Sequence, residues 1–153
     1  MLCYEETVIP EFTDDGLLPP GIHQATDWSE IADTFGGNTR RDALLAGLRL
    51  MLEDLRRAGC REVFLDGSFV TDKELPGDFD LTYEYDQIDY GVIHPALLDV
   101  TPPRIQQKAR YGGEALPNVV CETGQVFADF FQNDKASGGR KGIVSIDLTS
   151  ISL

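Results

Sequence analysis

The sequence predicts a small α/β domain, a mixed sheet flanked by helices. Two strand patterns and one long helical stripe carry that prediction. Cys60 to Asp66 reads as a strand around Val63, Phe64 and Leu65, and it runs into the turn Gly67-Ser68. Asp78 to Tyr85 sets Phe79, Leu81 and Tyr83 against Asp78, Asp80, Thr82 and Glu84, the period-2 alternation of a half-buried strand. Before both, Leu44, Leu45, Leu48, Met51, Leu52 and Leu55 recur at i, i+1, i+4, i+7, i+8 and i+11, one continuous helical stripe. Strands interspersed with helices make an α/β domain.

In chain order, residues 1–25 read as an irregular arm. Pro10, Gly16, Pro19, Pro20 and Gly21 break any period, while Val8, Ile9, Phe12, Leu17, Leu18 and Ile22 supply enough apolar surface to pack the arm on the domain. A short helix is expected from Asp27, which has capping-box spacing to Glu30, with Trp28, Ile31, Ala32 and Phe35 on its apolar side and Gly36-Gly37 ending it. The long helix over 39–58 is capped by Asn38 or Thr39 and stopped by Gly59. Arg40, Arg41, Arg49, Glu53, Asp54, Arg56 and Arg57 are assigned to a solvated face. Residues 69–77 form a turn or short helical piece closed by Pro76-Gly77, and a helical turn is expected around Pro95–Leu98. Residues 103–111 hold three basic residues and no acid, a basic island ended by Gly112-Gly113. Thr123 to Gln132 reads as a helix burying Val126, Phe127, Phe130 and Phe131. Ile143 to Leu148 alternates Val144, Ile146 and Leu148 against Ser145 and Asp147, a third strand with one acid on its polar face.

At 153 residues the chain is expected to form one domain, residues 26–153, with the arm packed on it. No run of about 18 apolar residues exists, so no membrane span is expected. The first residues lack the basic-then-apolar order of a signal peptide. Cys3, Cys60 and Cys121 are odd in number and lack CxxC spacing, which fits reduced thiols and a cytoplasmic location. The net charge of −13 repels bulk nucleic acid at long range. A nucleotide chelated to a divalent cation is less affected, and an acidic surface suits a basic protein partner.

The chemistry concentrates in Gly67-Ser68 and Asp78-Phe79-Asp80. Acids two apart on a strand share a face, so Asp78 and Asp80 can hold one divalent metal or grip two. Mg²⁺ takes oxygen ligands and keeps several waters, so one or two carboxylates plus substrate phosphates suffice. The turn offers backbone N–H groups and the Ser68 hydroxyl to phosphates, and Gly67 has no side chain to block them. Lys73, just past the turn, and Lys108 and Arg110, from the basic island, are the candidate phosphate contacts.

Gly-Ser, nine residues, then Asp-apolar-Asp-apolar resembles the signature of the polymerase-β-type nucleotidyltransferase superfamily, and in style its minimal members, including antitoxins that modify a partner toxin. Leu65-Asp-Gly-Ser-Phe-Val-Thr-Asp-Lys-Glu, Pro76-Gly-Asp-Phe-Asp, Lys108-Ala-Arg-Tyr-Gly-Gly-Glu and Lys141-Gly-Ile-Val-Ser-Ile-Asp-Leu also resemble an uncharacterised bacterial and phage family assigned to that fold. The resemblance implies a nucleotidyltransferase-like fold and transfer of a nucleoside monophosphate from a nucleoside triphosphate to a hydroxyl, with release of pyrophosphate. It implies Gly67 and Ser68 at the phosphates and Asp78 and Asp80 on one or two Mg²⁺ (or Mn²⁺). It also implies a third acid on a later strand, as base or extra ligand. Asp147 is the candidate, with Asp99 and Glu114 as alternatives.

Other readings stand beside this one. Asp78-Phe-Asp-Leu-Thr82 fits the Asp-x-Asp-x-Thr string of haloacid-dehalogenase-type phosphatases, but there the acids end a strand, and here they follow Glu74-Leu-Pro-Gly77 and begin one. Sugar-nucleotide glycosyltransferases also carry Asp-x-Asp, in longer chains. The fold can also persist as a non-catalytic binding module, an antitoxin or regulatory subunit. His94 is read as packing or capping, Cys60 as buried at a helix–strand junction, Trp28 as core, and His23 has no partner in view.

Overall fold

A computed structural model describes residues 9–153. The readings of Val8 and of Cys3 lie outside the described residues. The fold is a mixed α/β domain with a five-stranded sheet in the order β1-β5-β2-β3-β4. The strands are β1 (Gly21–Ala25), β2 (Glu62–Asp66), β3 (Asp80–Tyr83), β4 (Glu114–Pro117) and β5 (Gly142–Asp147). The helices are α1 (Trp28–Phe35), α2 (Thr39–Arg57), α3 (Ile105–Tyr111) and α4 (Phe127–Phe130). Among the described residues no helix is long and apolar enough to cross a membrane.

The helix caps follow the sequence. Asp27 accepts from the Glu30 N–H at 2.8 Å, and Glu30 reaches back to the Thr26 N–H at 2.9 Å. Asn38 accepts from the Arg41 N–H at 2.8 Å. The leucine stripe of α2 is buried against the sheet face made by Val63, Leu65, Leu81, Tyr83, Ala115, Val144 and Ile146. Gly47 lets α3 approach α2: a Cβ there would lie 1.7 Å from the Tyr111 carbonyl oxygen, so the helices must separate to admit it. Gly47→Ala is therefore expected to destabilise the fold by about 1–3 kcal/mol; an unchanged urea midpoint would contradict this close packing.

Three expectations change. In the described part of the arm, residues 9–20 are irregular and a strand follows. Gly21–Ala25 pairs in parallel with β5, from Gly21↔Gly142 to Ala25↔Ile146. Pro19-Pro20 and Gly21 had masked a five-residue edge strand. β4 is a second edge strand, too short and too close to Gly112-Gly113 to show a period.

The helix expected over Thr123–Gln132 is a single turn, Phe127–Phe130, and it buries Ala128 rather than its aromatics. Gly124 turns the chain at positive φ, and Val120 bridges Val126 where a helix would need its first turn. Phe127, Phe130 and Phe131 are half-buried, and Val126 is exposed. Phe131 packs on a small second cluster of Phe64, Ala128 and Ile143, on the sheet face opposite α2.

The arginines at the start of α2 are not solvated. Arg41 is buried and donates to the carbonyls of Phe35, Phe69, Thr71 and Lys73, with its guanidinium 5.4 Å from the Phe69 ring centre. Arg40 donates to the carbonyls of Pro76 and Gly77. Two adjacent side chains thus hold both ends of the loop between Gly67-Ser68 and Asp78. Asp54, also assigned to the solvated face, is buried and accepts from Tyr111, Arg110 and Arg57. Burial works to raise its pKa, but these three donors outweigh that and hold the Asp54 carboxyl below its usual range.

Candidate metal and nucleotide site

Strand register builds the site. β2 and β3 run antiparallel with Asp66 opposite Asp80, and β3 and β4 run parallel with Asp80 opposite Glu114. Paired residues point to the same face, so Asp66, Asp80 and Glu114 form a row across three strands at one end of the sheet. Asp78, two residues before Asp80, joins from the loop that Arg40 anchors. Oxygens of Asp78, Asp80 and Glu114 all lie within 4.8 Å of one another.

Like charges opposite each other on a sheet are unfavourable, and this row carries that cost. Burial, then Asp78, Glu114 and Asp66, push the Asp80 carboxyl up to about 7, with Lys141 opposing. Burial and Glu114 raise Asp78, against Lys108 and Arg40. Glu114 is paired on both oxygens, to Arg104 at 2.5 Å and to Lys108 at 3.2 Å. Arg104 does this from a left-handed backbone (φ 53°), a conformation that costs a non-glycine residue about 1 kcal/mol or more.

Gly67 is required by its neighbours. Its φ is +91°, and a Cβ would sit 2.9 Å from Asp80 Oδ2. Ser68 opens a short 3₁₀ turn, Ser68–Val70, and is half-buried next to Gly67 in the chain. The site therefore has a glycine turn and three converging hard oxygen donors. That donor set fits Mg²⁺ or Mn²⁺ and not a thiolate- or imidazole-seeking metal.

The other sequence-predicted residues divide. Lys108 is at the site through Glu114, and Lys73 is exposed on the neighbouring loop, its carbonyl held by Arg41. Arg110 is not there: its Nε is 3.0 Å from Asp54, on the α2 side of α3. Asp147 lies on the expected polar face but at the other end of the sheet. It pairs with Glu62, four residues from Asp66 and so about 13 Å along the strand, and it accepts from the Thr149 N–H and hydroxyl. β5 and β3 both run antiparallel to β2, so the start of β3 and the end of β5 fall at opposite ends of the sheet. Glu114 opens β4 as Asp80 opens the parallel β3, and it is Glu114 that lies with Asp78 and Asp80. Asp99 instead accepts from the Gln106 N–H at the start of α3. His94 caps the turn Pro95–Leu98 through Nδ1, and His23 meets the Pro19 carbonyl. Cys60 is buried where α2 leads into β2, which pushes its thiol up to about 12.

Sequence reasoning missed Asp66, Arg40, Arg104 and Lys141. Asp66 stands directly before Gly67 at the polar position of its strand, and this was the available signal.

A divalent cation held by these carboxylates would compete with the proton on Asp80. Because that carboxyl titrates near 7, Mn²⁺ affinity is expected to climb as pH rises from 6 to about 7.5 and then level off. Calorimetric titration at three pH values checks this; a flat profile would contradict the coupling.

The profile of DUF6932, a family of unknown function, matches residues 10–147, and the chain belongs to that family. Neither the curated proteins nor the solved structures contain a match to it.

Proposed function

We propose that this member of the DUF6932 family is a metal-dependent nucleotidyltransferase. The observation that carries the reading is the convergence of Asp78, Asp80 and Glu114 beside the Gly67-Ser68 turn. In this reading the three carboxylates hold one or two divalent cations. A cation there supplies charge neutralisation for the attacking and leaving oxygens of an in-line displacement. The backbone N–H groups of the turn and the Ser68 hydroxyl orient the phosphates. Lys108 and Arg40, beside Glu114 and Asp78, offset the negative charge that builds up when substrate and acids meet. An acceptor hydroxyl oxygen bonds to the α-phosphorus, the α–β bridging P–O bond breaks, pyrophosphate leaves, and the hydroxyl proton passes to solvent.

The resemblance in the Gly-Ser and Asp-x-Asp segments supports the same reading. A protein partner supplying the acceptor hydroxyl, as in a toxin–antitoxin pair, and a cytoplasmic setting belong to this proposal. The net charge of −13 disfavours bulk nucleic acid as acceptor.

One observation favours a second reading. Arg104 and Lys108 already neutralise Glu114, which is what a binding module without metal would need. Nucleoside triphosphates labelled on the α-phosphate, incubated with Mg²⁺ and host lysate, separate the two. Label transfer that is lost in Asp78→Asn supports the transferase. Transfer of γ label alone, or no Mg²⁺-dependent nucleotide binding, overturns it, and a stable protein complex that survives Asp78→Asn with Asp80→Asn favours the module.

A further inference from the structure

Asp80 also borders a cleft of about 470 Å³ on the opposite side from Glu114, lined by Asp66, Gly67, Phe130, Phe131, Lys135 and Lys141 among others. Its volume falls in the range of small-ligand sites. Asp66 is the unusual group in it. The residue is 7% exposed, and its Oδ1 is buried with no hydrogen-bond partner. Lys141 Nζ lies 3.1 Å from that oxygen and supplies charge without an aligned hydrogen bond. That oxygen has an ion-pair partner but no aligned hydrogen bond, so a hydroxyl donor from a ligand would add the bond it lacks.

The two sides of the metal triad differ in charge. On the α3 side, Arg40, Arg104 and Lys108 gather around Asp78 and Glu114. On the cleft side, Lys135 and Lys141 face Asp66, Asp80 and Asp134, and the walls include the half-buried rings of Phe130 and Phe131. On the first side three cations outnumber two acids, and on the second three acids outnumber two lysines, so phosphate is better matched to the first side. An uncharged group with hydroxyl donors and a flat apolar face fits the second.

Resting on the transferase reading, we propose that the nucleoside half of the triphosphate occupies this cleft. Its ribose hydroxyls donate to Asp66 Oδ1, its base lies along Phe130 and Phe131, and its phosphate tail runs toward Arg40 and Lys108. Asp66 is then the residue that selects ribose.

The test is calorimetric binding of the full chain, with Mg²⁺, to α,β-methylene triphosphates of all four ribonucleosides, to their 2′,3′-dideoxy forms and to inorganic tripolyphosphate. The best ribonucleotide is expected to bind at least about tenfold tighter than its dideoxy form, one charged hydrogen bond's worth. Asp66→Ala should erase that preference and leave tripolyphosphate binding intact, which also shows the variant is folded. Phe131→Ala should weaken every nucleotide and spare tripolyphosphate. Equal affinity for ribo and dideoxy forms, a preference that survives Asp66→Ala, or variants that lower tripolyphosphate and nucleotide alike would overturn the placement while leaving the transferase reading standing. No binding of any triphosphate to the unaltered chain would overturn both.

Discussion

Asp80→Asn is expected to have opposite effects on stability and on function. In the metal-free protein it should stabilise. The folded chain holds a proton on Asp80 up to about pH 7, while an ordinary aspartate gives it up near 3.8. The folded state therefore binds more protons than the unfolded state between those values, and stability falls as pH rises through that window. Above pH 7 the penalty is fully present. The amide keeps the shape and removes the charge, so at pH 8 the variant should gain about 1 kcal/mol or more. Well below pH 3.8, where both states carry the proton, the gain should nearly vanish. The same change removes a central ligand of the triad, so metal-dependent stabilisation should disappear and label transfer should fall at least about a hundredfold. Thermal melts at two pH values, with and without Mn²⁺, check both halves. A variant that is less stable without metal, or that keeps its metal shift, would contradict the electrostatic account of the row.

Arg41→Ala should destabilise by about 3 kcal/mol or more. The substitution leaves the carbonyls of Phe35, Phe69, Thr71 and Lys73 without their charged donor and opens the space beside Phe69. Arg41→Lys should recover only a minor part, because an ammonium lacks the planar fork that reaches four acceptors at once. The damage should reach the site. The loop that Arg41 and Arg40 clamp joins Gly67-Ser68 to Asp78, so metal affinity should fall even under conditions where the variant is folded. Urea unfolding and Mn²⁺ titration of the two variants measure these effects. Full rescue by lysine would show that charge alone, without the fork, holds the loop.

The parts of the fold legible in the sequence are those where local pattern and burial agree. The α2 stripe, the caps Asp27 and Asn38, and β2, β3 and β5 all emerge at their expected places, because each has a period long enough to read. The missed strands, β1 and β4, are edges four or five residues long beside Gly and Pro. Phe127, Phe130 and Phe131 have helical spacing but lie in and just after a one-turn helix on the sheet face opposite α2. Spacing alone does not distinguish a core-facing stripe from the wall of a cleft.

For the site, Gly67, Ser68, Asp78 and Asp80 are close in sequence and were found together. The third acid depends on strand direction. Asp147 and Glu114 each sit at a strand end on the polar face. Only the pairing, β4 parallel to β3 and β5 antiparallel to β2, brings Glu114 to Asp80 and sends Asp147 to the far end of the sheet. Arg41 and Asp54 show the same limit for charge. Their positions on the helix face read as solvated until the loop and α3 fold over them.

The central claim is that Asp78, Asp80 and Glu114 together hold a divalent cation. Crystals soaked in Mn²⁺ at pH 8 test it directly through the anomalous signal of the metal. The account predicts a peak in contact with oxygens of all three residues, beside Gly67, with Glu114 released from Arg104 or Lys108. A peak only at Glu62 and Asp147, or no peak among the three acids at millimolar Mn²⁺, would contradict it.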